Sequence, residues 1–266
     1  MSPASPHPLA PWTCGTLDIH HISTGKGDAA LFLLPDGTTM LVDAGASDPT
    51  DPRHSGPRAT PPRPDGSRTP GEWIVRYVRH ALAHDPAPVL DYGLITHFHG
   101  DHMGTPFSRS PTSRSGAYRL AGITEIGEHI PIRRILDRGW PDYCYPAPID
   151  NDMMRNYRAF LRWQIENRTT VVERFEPGRN DQIVLAREPG AYANFQVRNV
   201  AANGEVWTGV GTSTRAHFPL AEVLRPQELP EENACSLALR LSYGKFDYFS
   251  GGDIPGILEM GAPLWS

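Results

Sequence analysis

The chain has few cysteines: Cys14, Cys144 and Cys235 lie far apart and form no CxxC pair. Three such thiols argue against a disulfide framework and fit reduced cysteines in a cytosol, so a cytoplasmic protein is expected. Long apolar runs are also missing. No window approaches the length of a membrane span, and the Pro/Ala/Ser-rich start, Met1 to Pro11, has no basic segment followed by an apolar one. Neither a membrane span nor a signal peptide is expected. Basic excess is absent too: the net charge is −5, so no chain-wide field advertises nucleic-acid binding, although a local basic groove stays open. There is no internal repeat and no sustained heptad pattern.

What is present is ordinary globular material. The 266 residues, 39% hydrophobic and 21% charged, suffice for one large domain or two small ones. Prolines number 27 and gather in the N-terminal tail and in the stretch 48–70. The tail, 1–16, reads as disordered, and 48–70 as a polar surface loop or lid. Alternation at Leu17, Ile19 and His21 predicts a strand. Two more strands, 29–34 and 38–42, flank the turn residues Pro35-Asp36-Gly37. Thr69-Pro70-Gly71-Glu72 carries a capping-box signal with proline at the first helical position, and Ile74, Val75, Val78, Ala81 and Leu82 then share a helical face. Val89 to Thr96 reads as a buried strand. The region 106–149 is weakly periodic and loop-rich. A helix is expected around Met153 to Ile165, and strands over 195–200, 237–243 and 246–249. Strands, helices and strands again suggest an α+β layered sandwich.

The strand ending at Thr96 runs directly into His97-Phe98-His99-Gly100-Asp101-His102. Imidazole and carboxylate donors suit zinc, manganese or iron, not sites built for soft thiolates. A tight turn after a strand can aim His97 and His99 at one ion and Asp101 and His102 at a second, and Gly100 lets the backbone make that turn. Two ions roughly 3.5–4 Å apart would clamp a hydroxide between them. The plain alternative, a histidine-rich surface loop, fits this ligand density poorly.

His-x-His-x-Asp-His after an apolar strand resembles the metal signature of the metallo-β-lactamase superfamily. Gly25-Lys26-Gly27-Asp28-Ala29, Asp36-Gly37 and Leu41-Val42-Asp43-Ala44-Gly45 are similar to the opening of its ComEC-like branch. Asn233, Ser236 to Leu241 and Tyr243-Gly244-Lys245-Phe246 resemble a later hairpin, and Ser250-Gly251-Gly252-Asp253 a Gly-Asp element. The matches run from about residue 17 to 256 and are weakest over 105–190, which reads as an insertion within a 17–266 domain. The resemblance implies an αβ/βα sandwich and two divalent ions, zinc first and manganese as the other candidate. It implies Asp253 as the carboxylate bridging both ions, and Asp43 beneath the loop as the group that orients the ligands. Read without it, Asp43 caps a turn before Gly45 and Asp253 sits in a turn after Gly-Gly.

The pattern also departs from the family. A terminal strand ending in a histidine would normally follow; here the chain stops at Ser266, thirteen residues after Asp253, without one. A sandwich incomplete at its C-terminus, with an unpaired strand edge that invites homo-oligomers, is therefore expected. The intermediate histidine ligand has only His129 and His217 as free candidates. Ser23-Thr24-Gly25-Lys26-Gly27 lacks the spacing of a P-loop. Arginines over 53–68 and 109–119 read as solvated loops, with a phosphate-bearing substrate's path as the other option. The functional expectation is a hydrolase in which a metal-bound hydroxide attacks phosphorus or carbonyl, with Asp101 orienting it. Small-molecule or nucleic-acid phosphodiesters are the favoured substrates, by family analogy. The alternative is a truncated, catalytically incompetent metal-binding or interaction module.

Overall fold

The computed structural model describes residues 9–47, 60 and 63–255. Of the expected tail, residues 1–8 lie outside that set, while Gly15 N–H donates to Pro35 O at 2.8 Å and Gly15 O accepts from the Tyr243 hydroxyl. Most of the 48–70 loop also lies outside the described residues.

The first sheet opens with an antiparallel meander of β1 (Asp18–His21), β2 (Ala30–Leu33) and β3 (Thr39–Val42). It continues in parallel through β4 (Leu90–Ile95), β5 (Ile132–Asp137) and β6 (Val171–Arg174), so its strand order is the chain order. The parallel crossovers carry α1 (Pro70–Ala81), α3 (Ile123–His129) and α4 (Asp152–Arg168); the one-turn α2 (Gly100–Met103) follows β4. The second sheet is antiparallel: β7 (Phe195–Ala202), β8 (Glu205–Trp207), β9 (Thr214–Ala216), β10 (Ala238–Tyr243) and β11 (Phe246–Ser250), in the order β11-β10-β7-β8-β9.

Strands β2, β3 and β4 are buried at every residue because the first sheet is covered on both faces. Leu31, Leu33, Leu41 and Ile95 pack toward the helices against Ile74, Val78, Ile126, Phe160 and Leu161. Their neighbours Phe32, Leu34, Met40, Val42 and Leu94 face the other way, onto Val197, Leu239 and Leu241 of the second sheet. Period-2 alternation thus feeds two cores from one set of strands. Among the described residues three layers stand: helices, sheet, sheet. The outward face of the second sheet carries the cross-strand Arg240–Asp247 ion pair and an exposed Phe249, and among the described residues β11 pairs with β10 alone.

Local chemistry accounts for the helices that periodicity predicts. Thr69 accepts from Glu72 N–H while Glu72 accepts from Thr69 N–H, a complete capping box. Asn151 caps α4 through Met154 N–H. The stretch 105–190, expected to match poorly, with a loop-rich part over 106–149 and a helix around 153–165, supplies that helix as α4 and also α3, β5 and β6; the two strands extend the parallel part of the first sheet beyond β4. Helix α3 escapes a periodicity reading because Thr124, Glu125 and Glu128 are buried along with Ile123 and Ile126, which leaves no polar stripe. Gly127 lies under Phe160, where a Cβ would come within 2.6 Å of the ring.

Candidate metal centre

Because β3 and β4 are parallel neighbours, their C-terminal ends emerge side by side, and Asp43 N–H donates to Leu94 O. Asp43 turns the chain with φ 60°, a left-handed conformation that aspartate tolerates better than most residues. Its carboxylate then lies under the histidine loop. Oδ1 accepts from Thr96 N–H at 2.8 Å, and Oδ2 accepts from the Thr96 hydroxyl at 2.7 Å and lies 2.8 Å from His102 Nδ1. With Nδ1 donating to Asp43, the Nε2 of His102 faces the cleft. There it lies 3.3 Å from Asp253 Oδ1 and 3.7 Å from Asp28 Oδ2.

Backbone hydrogen bonds also stitch the loop to the preceding turns. Asp28 N–H donates to Asp101 O, Ala44 N–H to His102 O and Ala46 N–H to Gly100 O. Gly45 is required at this seam, since a Cβ would stand 1.9 Å from Asp101 O. The Gly-Lys-Gly-Asp and Asp-Ala-Gly motifs thus have a structural purpose: they let two turns approach the ligand loop. On the other side, Leu237 N–H donates to Thr96 O, and Asp253 N–H to the Ser236 hydroxyl at 3.3 Å. Gly252, at φ 54°, rests on Thr96 and Ser236.

His97, His102 and Asp253 offer ligand atoms that all lie within 4.8 Å of one another. His99 Nδ1 is 3.0 Å from His97 Nε2, so it adjoins the group without entering it. The Asp101 carboxylate also stands outside that group, although its backbone carbonyl anchors the turn. His129 lies elsewhere: it lines a surface groove with Val89 and Pro131, at the opposite end of β4. His217 is exposed beside β9 and belongs to no metal-binding group among the described residues. Neither spare histidine reaches the centre.

The donor set suits a borderline divalent ion. Burial pushes His97 down to about 2, and the nearby His102, His99 and Arg138 add to the effect, so its imidazole stays neutral with a lone pair to give. Burial pulls His102 down as well, but its hydrogen bond to Asp43 and the charges of Asp43, Asp253 and Asp28 outweigh burial and lift it to about 9. The carboxylates around Nε2 call for a positive charge, which a proton or a metal cation can supply.

Several residues at the centre have no signal in the sequence. The Phe98 amide donates to Glu232 Oε1 at 2.7 Å, and Glu232 is held by the fully buried Arg138, whose guanidinium stacks 4.6 Å from the Phe98 ring. Asp28 was visible only as part of a turn motif. His21, Asp28, His102, Tyr248 and Gly252 line a cavity of about 200 Å3 at the centre.

No family model and no curated protein matches the chain. Among solved structures, CmlA beta-hydroxylase, in a mutant form, is similar over 89% of this chain and 30% of its own, with 13% identity and a TM-score of 0.37. A likeness that distant bears on neither fold nor activity, and the chain spans under a third of that protein. Among the described residues no helix is long and apolar enough to cross a membrane.

Proposed function

We propose that this chain is a metal-dependent hydrolase of metallo-β-lactamase-like fold acting on phosphodiesters. The observation that carries the reading is the convergence of His97, His102 and Asp253 at adjacent strand ends above a buried Asp43. In this reading His97, His99, Asp101, His102 and Asp253 hold two divalent ions, zinc before manganese given the imidazole and carboxylate donors. Bound there, such ions supply the positive charge that polarises a phosphoryl group and acidifies water.

The chain's own residues do the rest. Asp43 holds His102 in one tautomer, and Thr96 pins Asp43 through both its amide and its hydroxyl. In this reading Asp101, half-buried in the ligand loop, orients the attacking water. The Glu232 carboxylate and the Arg138 side chain keep the Phe98 amide, and with it the spacing of His97 and His99, in place.

The test begins with metal analysis of purified protein, followed by hydrolysis of bis(p-nitrophenyl) phosphate after adding zinc or manganese. His99→Ala is expected to reduce turnover to background. Less than one equivalent of metal together with no hydrolysis would defeat the reading. A second reading, a metal-binding module without catalysis, is favoured by His99 and Asp101 standing outside the 4.8 Å group. It predicts stoichiometric metal uptake without turnover.

A further inference from the structure

A groove of about 780 Å3 runs along α1, lined by Arg63, Arg76 and Arg79 over a floor that includes Trp73 and Tyr77. His21 lines this groove and also the cavity at the candidate metal centre, so the two lie on either side of one side chain. No lining residue is acidic. The nearby carboxylates are engaged elsewhere: Glu72 pairs with Arg68 at 3.7 Å, and Asp65 accepts from Ser67 N–H. Among the described residues, none of the three lining arginines forms an ion pair with a carboxylate.

The Arg79 guanidinium donates to His129 O at 3.1 Å, which leaves Arg63 and Arg76 as the groove guanidiniums with no ion pair among the described residues, in a chain whose net charge is −5. An apolar and aromatic floor limits how well water screens them, which strengthens their attraction for an anion. Guanidinium forks match phosphate oxygens in pairs, better than a point charge does. Arg76 stacks on Trp73 with its guanidinium carbon 5.7 Å from the ring centre, a contact that holds the fork at the groove wall. The other arginine-rich stretch offers no such site. There Arg119 is consumed by the carbonyls of Phe107, Ser108 and Ser110, and Arg114 faces Glu128.

We infer that the α1 groove is a phosphoanion site, distinct from the metal centre, which receives a phosphate-bearing arm of the substrate. The arm's role rests on the phosphodiester reading above; the anion site does not.

The experiment uses the full chain stripped of metal with EDTA and then dialysed free of it, titrated calorimetrically at low salt with inorganic pyrophosphate and, separately, with succinate. Saturable pyrophosphate binding is expected, with succinate binding more weakly. The double variant Arg63→Glu, Arg76→Glu, both at exposed positions, should bind pyrophosphate at least about tenfold more weakly, a change of roughly 1.4 kcal/mol, with an unchanged Tm. His99→Ala should bind it as wild type does. Equal binding by the double variant, equal binding of succinate, no binding by wild type, or parallel loss in His99→Ala would each overturn the site. The two proposals fail separately. If pyrophosphate binds through the arginines but no phosphodiester is hydrolysed with metal, the enzyme reading falls and the groove stands. If hydrolysis depends on His99 but the metal-free protein binds no pyrophosphate, the groove falls and the enzyme reading stands.

Discussion

Asp43 and Asp137 make an instructive pair. Each stands at the C-terminal end of a parallel strand of the first sheet, with 3% and 0% exposure. In both, burial pushes the carboxyl upward and hydrogen bonds to the anion oppose it. They differ in what their partners touch. Asp137 accepts from Gly139 and Trp140 N–H at 2.8 Å and from the hydroxyls of Tyr143 and Tyr157. Those tyrosines are themselves enclosed, and both are shifted far above the ordinary phenol range by burial and by Asp137. The network ends inside the core. Asp43 instead holds His102, whose far nitrogen meets Asp253 and Asp28 at the cleft. Burial and a raised carboxyl therefore do not mark function here; an outlet to the cleft does.

Breaking the closed network should have the largest effect on folding. Asp137→Ala leaves two hydroxyls and two amides without an acceptor and should lower unfolding stability by about 4 kcal/mol, measured in urea. Metal content of the folded fraction should be unchanged; a proportional loss of metal would erase the distinction between the two aspartates.

Glu125 sharpens the comparison as a third buried carboxylate without an outlet. It faces the N-terminus of α1, where the Thr69 hydroxyl donates to it. Burial pushes it up to about 7, against the Thr69 hydrogen bond and with Glu72 adding repulsion. Because the folded value lies above the ordinary 4.5, the native state is best served while the group is protonated. That stability is intact below about 4.5 and is lost as pH rises through 7. Glu125→Gln stays neutral throughout, so it should exceed wild type by about 3 kcal/mol at pH 8 and match it at pH 4. Denaturant melts at both pH values check this, and a pH-independent difference would contradict it.

The smallest shift is expected at the open network, and on a different readout. Asp43→Asn keeps the shape but weakens the hold on His102 Nδ1, and should reduce metal affinity roughly 10- to 100-fold, read by competition with a chromogenic chelator. Unchanged affinity would place Asp43 with Asp137 as a purely structural group.

Much of this was legible in residue order. The capping box at Thr69, the turn at Pro35-Asp36-Gly37 and the continuous apolar runs of β2 to β4 follow from local preferences, because neighbours in sequence supply the hydrogen bonds and the burial pattern. The histidine loop was legible for the same reason: its donors lie within six consecutive residues. What the sequence could not convey depends on long-range contact. Helix α3 hides its periodicity because tertiary packing buries its acids, and Arg138 and Glu232 are 94 residues apart yet jointly hold the ligand loop. Asp253 joins His97 and His102 only because the second sheet brings its turn onto Thr96 and Ser236. Likewise, Arg63, which reads as loop solvation, lines a groove because α1 sets Arg76 and Tyr77 beside it and His21. By itself the sequence determined which donors a metal centre could use. The tertiary structure decided which of them meet, because strand register and sheet packing, not chain order, set distances between side chains far apart in sequence.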